Sequence, residues 1–189
     1  MEIRQWVGAE LTDARQRLKG GVLDLIPADR RAEQADGGGI PAVYVLWHLT
    51  RHHDVAINGV LRGVDEVVHA HSDALGVSTG LWRGLSEGSD LDLIDQLDRE
   101  AVGQYALAAI DSTLAWIDNG ASFDDLDAVP DSGAVLEALG APSDDFSWLY
   151  GMWAGKTRQW FLSWEGIGHV VTHTGELVTI RNRLGLSPF

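Results

Sequence analysis

The chain of 189 residues has the length of one domain, and 45% hydrophobic against 22% charged residues is enough to fill a core. A formal net charge of −14 argues against sequence-independent binding to nucleic acid and against docking on an anionic membrane, since both need a basic face. Cysteine is absent, which excludes disulfides, thiolate metal sites and a cysteine nucleophile.

Glycine and proline clusters cut the chain into helix-length pieces. The first predicted helix, 3–25, sets Ile3, Trp6, Val7, Leu11, Ala14 and Leu18 at helical spacing, with a kink expected at Gly20-Gly21. The second, 42–61, is strongly apolar (Val43, Leu46, Trp47, Leu49, Val55, Ile57) and should stop at Gly63. Residues 64–87 show no clear period and read as short helices or loop, with His69 and His71 on the surface. The third helix, 91–118, repeats apolar residues from Ile94 to Ile117 and ends at Asn119-Gly120. Residues 121–145 are acidic and turn-rich, with a short helix at 133–139. The last stretch, 146–184, reads as one long helix or two, joined at Trp164-Glu165-Gly166.

No alternating run of strand length stands out. The expected fold is all-α: a four-helix bundle with short extra helices in its connections, one domain over residues 1–189. The eight tryptophans read mainly as core, each N–H needing a partner. The N-terminus lacks the basic-then-apolar pattern of a signal peptide, and no run of 18 apolar residues exists, so the expected location is cytoplasmic. Charge is uneven: residues 86–145 hold 15 acids, from Glu87 to Asp145, and a single base, Arg99, while the rest of the chain balances 13 acids with 13 bases. That stretch reads as a solvated face.

Five of the seven histidines fall on predicted helices. His169 and His173 are four residues apart, so their imidazoles share one helix face, a spacing that suits one metal ion. His48 lies in an apolar run of the second helix and supplies a third ligand, alone or with His52 at i+4. His52 and His53, beside Arg51 and Asp54, look like a helix face reaching the surface. Three histidine ligands leave open positions for water or substrate, as in catalytic sites. Glu176 shares the face of His169 and His173 and is a candidate fourth ligand, acceptor for an imidazole N–H, or general base. Two partly buried, hydrogen-bonded histidine pairs in a plain bundle are the alternative.

Two motifs carry a family resemblance: Trp47-His48-Leu49-Thr50-Arg51-His52-His53-Asp54-Val55, and His169 to Leu177 with His173, Gly175 and Glu176. The closing Arg181-Asn182-Arg183-Leu184-Gly185 and Trp153-Ala-Gly-Lys156 add to it. The chain resembles the DinB-like superfamily of bacterial metal-dependent hydrolases and mycothiol-dependent maleylpyruvate isomerases. The resemblance implies an up-down-down-up four-helix bundle holding zinc or nickel on His48, His169 and His173. It also implies an external low-molecular-weight thiol as cosubstrate, a small-molecule substrate and a homodimer. Many members carry Arg and Gln where this chain has Thr174 and Glu176, which moves it away from the best-known type. The expected chemistry is thiol-dependent transfer or isomerisation, or hydrolysis. The alternative is a bundle that binds a metal or small ligand without turnover.

Overall fold

The computed structural model describes residues 2–86 and 90–189, and no strand occurs among them. Helix α1 (Ile3–Leu18) buries Val7, Leu11, Ala14 and Leu18, the stripe expected from the spacing. Gly20-Gly21 does not break the helix but widens it into a π-helical turn, Lys19–Leu23. Helix α2 (Ala42–Asp54) is buried at every residue. A helix enclosed on all sides is a central one, and α2 packs most extensively on α4 and α8. It continues as a second π-helical segment, Val55–Arg62, and stops at Gly63, whose φ of 64° only glycine adopts cheaply.

Within the stretch that lacked a clear period, Val68–Leu75 forms helix α3. Its start is fixed by tertiary contact. Asp54, the last residue of α2, accepts from the backbone N–H groups of Val67 (3.0 Å) and Val68 (2.9 Å). His69 is exposed and His71 half-buried. Glu87, at the end of that stretch, lies outside the described residues.

Helix α4 (Arg99–Asp118) starts later than the spacing predicts. Leu91–Asp95 forms a separate 3-10 turn, and Asp98 caps α4 by accepting from the N–H groups of Glu100 and Ala101. The capping aspartate outweighs the continuous apolar pattern. Helix α5 (Ser132–Leu139) sits where a short helix was expected and is capped by Asp131.

The C-terminal stretch is not joined at 164–166. Helix α6 (Ser147–Trp153) ends, and Thr157 caps a new helix by accepting from Trp160 N–H. That helix runs unbroken through α7 (Arg158–Trp160), a third π-helical segment (Phe161–Gly168) and α8 (His169–Arg183). The expected break at Gly166 is instead a place of close packing: a Cβ there would sit 3.2 Å from Ile57 Cδ1, so glycine lets the two long π segments touch.

The main core gathers residues of α1, α2, α4 and α8, and a smaller cluster joins Val55, Leu136, Phe146, Leu149, Trp153 and Phe161. Each such side chain contributes about 1.5–3 kcal/mol by leaving water. Trp47 and Trp153 are fully buried, whereas Trp6, Trp148 and Trp164 are exposed, so tryptophan is less of a core residue than expected. Among the described acids from Asp90 to Asp145, all are exposed except the half-buried Asp90 and Asp111, consistent with a solvated face. No described helix is long and apolar enough to cross a membrane.

Candidate metal centre

His48 and His52 project from α2, one turn apart, and His169 and His173 from the first turns of α8. All four are buried, at 4%, 1%, 7% and 9% exposure. The expected ligands come together: ring centroids are 5.1 Å apart for His48 and His169, 4.8 Å for His48 and His173, and 4.4 Å for His169 and His173. His52 joins them, 4.7 Å from His48 and 4.5 Å from His169. One nitrogen from each of His48, His52 and His169 lies within 4.8 Å of the others. Three imidazoles close enough to hold one ion are therefore present, with a fourth beside them.

The surface reading of residues 51–54 is corrected. Arg51, His52, His53 and Asp54 are all buried. Partners from distant segments satisfy them. Arg51 donates to the Leu81 carbonyl, the Tyr105 hydroxyl and Glu66. Burial works against its charge, but Tyr105, Glu66 and Asp54 outweigh that and raise its pKa. Asp54 also accepts from Tyr105 Oη at 2.7 Å and from Asn58 Nδ2 at 2.6 Å. His53 is held from α4, its Nε2 2.9 Å from Thr113 Oγ1.

Three successive carbonyls in the turn before residue 86 hold side chains of α2. Trp47 Nε1–H donates to Arg83 (2.8 Å), His48 Nδ1–H to Gly84 (2.7 Å) and His52 Nε2–H to Leu85 (2.7 Å). The His48 contact fixes its tautomer and leaves Nε2 as a lone-pair donor. On α8, His173 Nδ1 lies 2.8 Å from Glu176 Oε2, which leaves its Nε2 free in the same way. His169 Nδ1 is buried with no hydrogen-bond partner among the described residues. Such a nitrogen is costly unless something else satisfies it, as a metal would.

Burial, with His52 and His173 nearby, pushes His48 down to about 3; the Gly84 carbonyl only partly offsets this. Burial and the surrounding histidines hold His169 even lower. Both rings are thus neutral at pH 7, the state in which imidazole ligates. A group of neutral imidazoles is a donor set compatible with a divalent metal ion.

Sequence reasoning missed Glu165. It is fully buried, with Oε1 accepting from Trp153 Nε1–H at 2.7 Å and Oε2 3.2 Å from His52 Nδ1. The available signal was a lone acid inside the apolar run Phe161–Gly168.

No family model matches the chain, and no curated protein does. A crystal structure of a conserved protein from Enterococcus faecalis is similar in fold, with a TM-score of 0.65 over 98% of this chain and 99% of that one, at 18% identity. At that identity the likeness shows a shared fold and nothing of function.

Proposed function

We propose that the chain is a DinB-like, metal-dependent enzyme acting on a small molecule, its long helices forming an up-down-down-up bundle. One observation carries this reading. Each of His48, His169 and His173 keeps a ring nitrogen that no other described protein group engages, and the three rings converge from two helices. Zinc or nickel held there would lower the pKa of a bound water or external thiol and polarise a substrate oxygen. The chain's own groups prepare that site. The Gly84 carbonyl holds the hydrogen of His48 on Nδ1, and Glu176 accepts at His173 Nδ1 and makes that ring a better donor. In this reading Glu176 orients a ligand, ready to take a proton from a substrate bound nearby. Three ligands leave coordination room for the substrate or thiol. Pairing into a homodimer belongs to the same proposal.

Elemental analysis tests the centre. Wild-type protein should carry about one divalent ion per chain, and His48→Ala, His169→Ala and His173→Ala should each lose it. Unchanged metal content in all three variants refutes the assignment. Thermal-shift screening of the metal-loaded protein against low-molecular-weight thiols then separates thiol chemistry from hydrolysis.

A further inference from the structure

We infer that His52 and Glu165 are positioning residues of the metal centre, a doubly tethered imidazole that fixes the ring of His169. The inference rests on His169 being a ligand. Distance alone groups His52 with His48 and His169, but His52 has no nitrogen to give. Its Nε2–H donates to the Leu85 carbonyl, and its Nδ1 meets Glu165 Oε2 at 3.2 Å in a hydrogen bond that holds a second proton between those two atoms. To ligate, it would have to break one of these contacts and strand a buried oxygen.

His169 has the opposite problem. His48 is aimed by the Gly84 carbonyl and His173 by Glu176, whereas no hydrogen bond among the described residues holds the His169 ring at either nitrogen. What lies against it is the face of His52. The two rings stack with 29° between their planes, while His48 and His173 meet His169 at 53° and 63°. A flat contact between rings restricts rotation where no hydrogen bond does. For His52 to act as that wall, its own plane must be fixed, and the two tethers fix it. Glu165 is held in turn through its other oxygen by Trp153. Trp153, Glu165 and His52 thus tie α6, the π segment before α8, and α2 together next to the ligands.

The test is titration of Zn²⁺ into metal-free protein, with folding checked by circular dichroism. His52→Gln keeps a donor for Leu85 but has no ring. Glu165→Leu releases one tether. Glu165→Gln keeps both contacts, since its amide oxygen still accepts from Trp153 and its NH₂ donates to His52 Nδ1. His52→Gln and Glu165→Leu should weaken Zn²⁺ binding about 10- to 100-fold at unchanged stoichiometry, and Glu165→Gln should stay near wild type. Visible bands of Co²⁺-saturated His52→Gln should match wild type, because the ligands are unchanged. Wild-type affinity in both His52→Gln and Glu165→Leu overturns the inference, as does a Glu165→Gln defect equal to that of Glu165→Leu. Altered cobalt bands in His52→Gln overturn it by making His52 a ligand. If wild-type protein takes up no Zn²⁺, the metal reading itself falls, and this inference with it.

Discussion

Gly84 is the residue where a single methyl group does the most damage. Its φ of +87° is already unfavourable for any side chain, and a Cβ there would overlap Cδ1 and Nε1 of Trp47. The left-handed backbone costs about 1–2 kcal/mol, and forcing a buried indole aside costs about 1–3 kcal/mol. Gly84→Ala should therefore lose about 2–5 kcal/mol, a fall in Tm of roughly 5–20 °C for a chain of this size. Gly120→Ala is the control, because Gly120 also has a positive φ (+92°) but open space where its Cβ would be. It should show the backbone cost alone. The difference between the two melts measures the collision with Trp47. Because the Gly84 carbonyl also holds His48 Nδ1, only Gly84→Ala should weaken Zn²⁺ binding in calorimetry. Equal melting temperatures and equal metal affinities in the two variants would refute the account of this turn as the wall behind His48.

Tyr105→Phe removes the hydroxyl that donates to Asp54 and accepts from Arg51, and should cost about 1–3 kcal/mol in urea denaturation with metal affinity unchanged. Metal-free protein should lose stability in mild acid. Burial holds His53 down at about 4, against its ordinary 6.5, with Asp54 nearby only partly opposing the shift. The unfolded chain therefore takes up a proton that the fold refuses. Stability is full above pH 6.5, and as pH drops towards 4 His53 alone removes about 1.4 kcal/mol per pH unit, with His48 and His169 adding to the loss in the same direction. Urea midpoints that stay level from pH 7 to 5 would contradict this. Chelation of metal-loaded protein should lower Tm, since free metal at a hundred times its Kd stabilises the fold by about 2.7 kcal/mol. Identical melts with and without chelator would count against a bound metal.

Local pattern made the long helices legible, because an apolar stripe such as Val7, Leu11, Ala14 and Leu18 is written in consecutive residues. The pairing of His48 with the two histidines of α8 was legible for a related reason: an i,i+4 spacing defines a face, and an apolar setting buries it. What sequence could not show was the partner of each polar residue. Arg51, His52 and Asp54 look like a solvated face until Glu66, Leu81, Leu85 and Tyr105 are brought up against them from 15 to 54 positions away. Glu165 was hidden for the same reason, since its value depends on Trp153 and His52. The start of α4 was misplaced because a capping aspartate stops a helix that the apolar repeat alone would continue.

The π-helical segment Phe161–Gly168 also sets the phase of everything after it. A π turn accommodates one more residue than an α turn, so it behaves like an inserted residue absorbed without breaking the helix. Deleting one residue there would let the chain close as ordinary α-helix with α8 still in phase, whereas winding the same residues as ordinary α-helix would turn α8 by about 100° about its axis. His169 and His173 would keep their mutual spacing yet swing together away from His48. The wide turn is thus the angular setting of a two-residue clamp. Its wide winding, more than the identity of any one side chain in it, determines whether the two halves of the centre face each other.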